Sequence, residues 1–483
     1  MHSAKSSGLL ALTALLASFA LVEGHPPGKV GYITFAEAKP ILEAMAEALP
    51  ARLSGQPPEK LESLWPAWVK SRDAEIRERL TGGDEDTIVN FLLFGTTFTH
   101  EPRLTSAQVR TLAGNSAEAG GKEAADKFRQ LVGRRIQDLV NGMAAPGNNE
   151  RLLFARRVAE RKGIGFADEA ARKQAAKYVL ENYLRVLKEQ ESFQQALAAA
   201  KSLDDPTEEF AERSKLYRER GLSLDTALPP DFALEEALNE MSARDLVKPG
   251  SVKRVGIIGP GLDFTDKQEG YDFYPTQTVQ PFAVMDSLLR LKLARAGELQ
   301  VFTLDLSPRV NDHMERSRRA AVQGRGYTIQ LPRDPSRGWK PDLVAYWERF
   351  GDQIGNAAKP VAVPASLQGT ALRAVRVRPE FVQRVKAFDV NIVLQRIGGA
   401  DELAQFDLLV ATNILVYYDT FEQSLALTNI RSMLKPGGFL LSNNALLELP
   451  SSEIHSVGYH TTQYSDRVND GDHIVWYRRE LRP

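Results

Sequence analysis

The chain has 483 residues, 43% of them hydrophobic, a formal net charge of −1 and no cysteine. That length accommodates two or three domains with real cores, and the near-zero charge supplies no global field for nucleic acid or an acidic membrane. Without cysteine there are no disulfides, thiolate metal sites or cysteine nucleophiles. The composition suits an exported bacterial protein and a cysteine-poor cytoplasmic one alike.

The first residues read as a secretory signal over 1–24. His2 and Lys5 give a weakly basic start, Leu9 to Val22 is apolar except for Thr13 and Ser18, and Ala20 and Gly24 offer small residues before a cleavage point. The apolar run is shorter than the ~20 residues a spanning helix needs. Export to the periplasm is the expectation; the alternative is a buried N-terminal helix in a cytoplasmic protein. No membrane span is expected once such a signal is removed.

From about 30 to 225 the sequence predicts an all-α domain of unassigned role. Pro40 to Leu49, Ala67 to Leu80 and Ala167 to Ala200 carry apolar residues at helical intervals, and Asp84-Glu85-Asp86 reads as a helix start. The Thr- and His-containing segment around His100 breaks the pattern at Pro102 and is read as an inter-helix connection. Pro229 to Ala243 is a further helix, assigned to the second domain, which is placed at 226–483.

The second domain alternates strand and helix. Arg254 to Ile258 is a strand, followed by Gly259-Pro260-Gly261-Leu262-Asp263, a turn whose glycines let backbone approach a ligand. An insertion, Thr265 to Thr278, precedes a helix opening at Gln280-Pro281. Val301 to Asp305 is the second strand, and its terminal carboxylate suits paired ribose hydroxyls; a helix N-cap before Ser307-Pro308 is the structural alternative. Phe388 to Leu394 is read as a third strand, with Gln395 as an adenine contact. Phe406 to Val410 is a buried strand, with Thr412 and Asn413 just past its carboxyl end, where open α/β sheets place ligands. A helix from Phe421 to Leu434 stops at Lys435-Pro436-Gly437-Gly438, and Phe439-Leu440-Leu441 begins the next strand. Two last strands, Ile454 to Thr462 and Asp472 to Arg478, flank a polar turn. His455, His460 and His473 do not form a dense ligand set, so no metal is expected. The arginine clusters at 316–325 and 373–384 lack aromatic interleaving and read as solvated faces.

This order resembles a class I S-adenosylmethionine (SAM) dependent methyltransferase: a Rossmann-like α/β sheet, parallel with an antiparallel edge, here preceded by helices. Thr412-Asn413-Ile414-Leu415-Val416-Tyr417-Tyr418-Asp419 with Gln423, and Gln280-Pro281-Phe282, are similar to the chemotaxis-receptor glutamate methyltransferases, whose motifs read R-N-V-x-I-Y-F-D-x-x-x-Q and E-P-Y. The resemblance covers about Ser251 to Asn444. It implies SAM as cofactor, Asn413 as a SAM contact and Asp305 as the ribose ligand. Gln280 stands where the family has a SAM-binding Glu, and Thr412 where it has an Arg. The family's S-T-G-E-E turn is replaced by GPGLD and the insertion.

Methyl transfer needs mainly positioning and a dry pocket, so no triad or carboxylate pair is required. The acceptor, a protein carboxylate or a small molecule, is left open; Tyr271, Asp272, Tyr274 and Tyr417 are candidates to line its pocket, with loop packing as the alternative. Two rival readings stand: an exported, non-catalytic methyltransferase-like binding protein, and a nicotinamide-dependent oxidoreductase supported by GIIGPG alone.

Overall fold

The computed structural model describes residues 29–104, 121–201, 222, 227–262, 271–398, 405–467 and 470–480. The expected signal segment 1–24 and Asp263 lie outside them. The chain runs β1 (Lys29–Tyr32), α1 (Phe35–Ala44), α2 (Pro58–Phe94), α3 (Gly121–Ala144), α4 (Glu150–Arg161), α5 (Glu169–Lys201) and α6 (Leu228–Ala243). It continues through β2 (Arg254–Ile258), α7 (Gln280–Arg290), β3 (Gln300–Asp305), α8 (Pro308–Val322), β4 (Tyr327–Arg333), α9 (Pro341–Arg349), β5 (Gly355–Ala358) and β6 (Ala371–Val377). The last elements are β7 (Val385–Asp389), β8 (Gln395–Gly398), β9 (Phe406–Ala411), α10 (Thr420–Met433), β10 (Leu434–Ser442), β11 (Ile454–Gln463) and β12 (Gly471–Arg479).

Seven strands form one sheet in the order β11-β12-β10-β9-β2-β3-β7. Neighbours from β10 to β7 are parallel, and β12 runs antiparallel between β10 and β11. Counting only the sheet's own strands in chain order, this is 3-2-1-4-5-7-6, the class I methyltransferase arrangement. The two-residue period of a strand sorts its side chains. Val255, Ile257, Leu408, Val410, Ile474 and Trp476 face a core shared with α6, α7 and α9. Ile258, Leu409, Ala411, Val475 and Tyr477 face the other core, with α1, α2 and α10. Both faces are covered, which is why the central strands read as near-continuous apolar runs.

The third strand differs from its expected place. It ends at Asp389, and 390–394 form a turn that leads into β8, which pairs antiparallel with β1. Asn391, fully buried, builds that turn: its side-chain oxygen accepts from the Val393 amide, and its carbonyl accepts from Leu394 and Gln395. Apolarity at 390–394 reflects burial under α2 and not strand pairing.

The segment 30–225 is helical but opens with β1, and its first part shares the sheet's core. Trp65 and Trp68 stack at 5.1 Å, and Trp68 meets Phe421 of α10 edge-on at 5.8 Å. A second core, built from Ile88 to Phe94, α3, α4 and α5, holds the remaining helices together. Helix α2 spans both. Asp84, Glu85 and Asp86 lie inside it and do not start a helix: they pair with Arg161, Lys162 and Arg185 of the neighbouring helices. Gly83 is required where the Leu222 backbone crosses, since a Cβ there would meet the Leu222 carbonyl oxygen at 1.9 Å. Beyond the end of α2, the fully buried Arg135 donates to the carbonyls of Leu92, Gly95, Glu101 and Pro102. Burial lowers its pKa to about 10. The His100 segment is therefore an inter-helix connection wrapped on that guanidinium.

If α2 is integral to the sheet, Trp68→Ala removes a core ring from both. The expected loss is about 3–5 kcal/mol, with weakened hydrogen-exchange protection of the β9 and β10 amides. Unchanged protection there would mark the helical half as an independent unit.

Candidate functional site

Five strand ends and one crossing helix define the site. At the carboxyl end of β2, Gly259 and Gly261 take left-handed backbone conformations, with φ of 63° and 70°. A Cβ on Gly259 would lie 2.2 Å from Ile414 of the β9 loop, so only glycine lets the two loops close together. The Gly259 amide donates to the Leu304 carbonyl at 2.9 Å, fixing the turn against β3.

Asp305 ends β3 as expected and is buried beneath that turn. Its carboxylate accepts from the Ser307 amide at 2.7 Å and from the Gly261 amide. Burial is the largest influence on it and Asp389 adds repulsion, and together they outweigh those two amides and raise its pKa to about 7. The side chain of Ser307 does not cap α8. Asp305 thus joins the glycine turn to the start of α8 without being that helix's N-cap.

Gln280, Thr412 and Asp231 come together. The Gln280 amide nitrogen donates to Thr412 Oγ1 at 2.8 Å and to Asp231 Oδ1 at 3.1 Å. All three are buried. Gln280 and Thr412 are therefore each other's partners, a neutral pair. Asp231, from the first turn of α6, escaped the sequence reading. The one available signal was an acid among Pro230, Phe232 and Leu234, which reads as a helix start. Burial pushes its pKa up to about 8.

Asn413 sits next to this trio with φ of 58°, the left-handed conformation at the end of β9. Its amide donates to Asn443 Oδ1 at 2.8 Å, and Asn443 Nδ2 donates to Asn413 Oδ1 at 2.7 Å. Asn443 also reaches Asp472 at 3.1 Å, which accepts from the Tyr464 hydroxyl at 2.6 Å. The left-handed backbone and the doubled Asn413–Asn443 hydrogen bond hold the strand end in a set shape.

Gln395 does not face an open adenine site. Its carbonyl accepts from Arg77 of α2 at 3.2 Å and from the Asn391 amide at 2.9 Å. Arg77 also pairs with Asp389 at 2.7 Å and Asp73 at 3.0 Å. Helix α2 has taken the side chain that the sequence offered to adenine. Tyr271, Asp272 and Tyr274 are likewise used in packing. Asp272 accepts from the amides and hydroxyls of Thr96 and Thr97, and Tyr271 and Tyr274 are buried against Leu367. Residues 271–278 are thereby bolted to the helical half. Tyr417 lends its carbonyl to Arg79 of α2 at 2.9 Å. Among the described residues no group of three or more His, Asp or Glu is placed to hold a metal ion.

No protein-family model matches the chain. A 58-residue stretch, 12% of the chain, is 45% identical to a hybrid PKS-NRPs synthetase, opdA, of Penicillium oxalicum, of whose length it spans 1%. Solved structures with a similar chain course include the N-methyltransferase NodS from Bradyrhizobium japonicum WM9 (13% identity, 52% of this chain and 97% of that one, TM-score 0.25). Another is the magnesium protoporphyrin IX methyltransferase ChlM from Synechocystis PCC 6803 with bound SAM (11%, 56% and 90%, 0.24). A third is the CurJ carbon methyltransferase (13%, 87% and 98%, 0.26). Superpositions this loose decide nothing by themselves; the fold is a class I methyltransferase fold on its own strand order and direction.

A carboxyl whose pKa is higher folded than unfolded gains a proton on folding. Its stabilising contribution is complete below about pH 4 and is lost as pH rises through the folded value. For Asp231 that value is about 8. Asp231→Asn is therefore expected to raise the melting temperature above wild type at pH 9 and to give no such gain at pH 5. Gln280→Glu, which sets a second carboxylate on Asp231, is expected to lower it, more steeply as pH rises. Thermal unfolding across pH checks both.

Proposed function

We propose that this chain binds SAM over the carboxyl ends of β2, β3 and β9 and transfers its methyl group to an acceptor. The observation that carries the reading is the left-handed Gly259–Gly261 turn closed on Asp305, at the switch point of a sheet with an antiparallel strand inserted before its edge. The residues fit an adenosine ligand: the turn admits backbone approach, Asp305 is a carboxylate at the end of β3, and Asn413 is held by Asn443 at the end of β9. Gln395 is not assigned to the ligand.

SAM supplies an electrophilic methyl on a good leaving group. The chain's own part is to hold Asp305 and Asn413 in place and exclude water. Helix α2, lying across the strand ends through Arg77 and Arg79, serves that exclusion. The acceptor is proposed to be a protein carboxylate, after the receptor-glutamate resemblance, or a small molecule, given the replaced glycine turn and insertion. An antiparallel strand between β10 and β11 argues against the nicotinamide reading. The seat of Arg77 on Gln395 and Asp389 favours one alternative, a methyltransferase-like binding protein that no longer turns over.

Calorimetric titration with SAM, S-adenosylhomocysteine and NADH tests this. SAM and S-adenosylhomocysteine are expected to bind and NADH not to. Gly259→Val, which drives a side chain into Ile414, is expected to abolish binding, and Asp305→Ala to weaken it by roughly 10- to 100-fold, the scale of a lost charged hydrogen-bond pair. Failure of the wild type to bind either adenosyl ligand would sink the proposal; binding without methyl transfer to any acceptor would favour the alternative.

A further inference from the structure

Asp231 is a member of the site whose chemistry is incomplete. It is 2% exposed, and Oδ1 is held by Gln280 while Oδ2 has no hydrogen-bond partner among the described residues. It does not cap its own helix: α6 has Ala227 at its N-cap and no side-chain cap bond. Among the described residues no cation pairs with it. The ionisable groups around it are Tyr346 of α9 and Tyr464 after β11, with Glu235 one turn along α6. Glu235 is already matched by Arg349 at 2.6 Å. A carboxylate ionised in such a place needs a paired cation, and no cation in this set faces Asp231.

Its position says what would. Through Gln280 it is bonded to Thr412 at the end of β9, beside Asn413. A second string, Asn413–Asn443–Asp472–Tyr464, starts at the neighbouring residue and returns to the tyrosine beside Asp231. The carboxyl thus sits behind the strand end where the proposed ligand would lie. We infer that Asp231 is the counter-charge for a cationic ligand group: the ammonium or sulfonium of the methionine end of SAM.

This inference rests on the SAM reading and sharpens it. Alone, the buried carboxyl holds a proton at neutral pH, its pKa pushed up to about 8 by desolvation. A cation placed against it favours the ionised form, so binding expels that proton. The proton leaves the Asp231 carboxyl for solvent, and the ligand keeps its own charge. Affinity therefore rises with pH, by up to about tenfold per unit below that pKa.

The experiment is calorimetry of the full chain at pH 7 with SAM and with S-adenosylhomocysteine, each in two buffers of different ionisation enthalpy. The wild type is expected to release about one proton per ligand. Asp231→Asn is expected to bind at least tenfold more weakly with that release gone. Release with both ligands assigns the contact to the ammonium, which they share; release with SAM alone assigns it to the sulfonium. Binding without proton release in the wild type, or equal release in Asp231→Asn, overturns the inference and leaves the SAM reading intact. Absence of any binding by the wild type overturns that reading and this one together. Circular dichroism of Asp231→Asn at pH 7 shows whether a weak titration reflects lost contact or lost fold, and Asp231→Glu, which keeps the charge, is expected to restore part of the release.

Discussion

Helix α2 is tied across the strand ends by three arginines, and the site depends on that tie. Arg72 pairs with Glu422 at 2.6 Å, Arg77 with Asp389 at 2.7 Å, and Arg79 donates to the Tyr417 carbonyl. Glu422 is fully buried and also caps α10, accepting from the Asp419 amide while Asp419 accepts from its own. The Arg72–Glu422 pair, with its carboxylate buried, is costly to form without geometry and costly to break once formed. Here the geometry is supplied by the Trp65–Trp68–Phe421 stack beneath them. One helix is therefore fixed over the strand ends of the sheet.

Other contacts join α2 to the same strand ends. Leu80 of α2 packs on Leu262 and Val310, the residues that follow the glycine turn and start α8. Arg77 occupies Gln395 and the Leu306 carbonyl. Residues 271–278 are fixed to the helical half by Asp272 and by Arg151 on the Tyr274 carbonyl.

The sheet was legible in the sequence because a strand buried on both faces leaves a mostly apolar run, as Phe406 to Val410 and Val301 to Leu304 do with one polar residue each. The glycine turn, Asp305 and Asn413 were legible because strand ends constrain residue type. Helix α2 was not read to its full length: Pro66 and the Gly82-Gly83 pair look like breaks, and tertiary packing overrides them. Asp84 to Asp86 misled for a related reason, since acids that bridge helices look in sequence like acids that begin one. Gln395 misled because a polar residue after an apolar run resembles a ligand contact whether its partner is adenine or Arg77. Asp231 was invisible because its meaning lies in contacts across 49 and more residues of chain.

Gln280 and Thr412 meet in a neutral hydrogen bond of 2.8 Å with no charge to compensate. A lone ion buried at either position would cost several kcal/mol. Asp231 is the exception, a carboxyl set against that neutral pair. A purely structural polar network gains nothing from an acid whose second oxygen is orphaned. The same acid beside a cationic ligand completes the network, so its incompleteness is better explained by what the site binds than by what holds the fold.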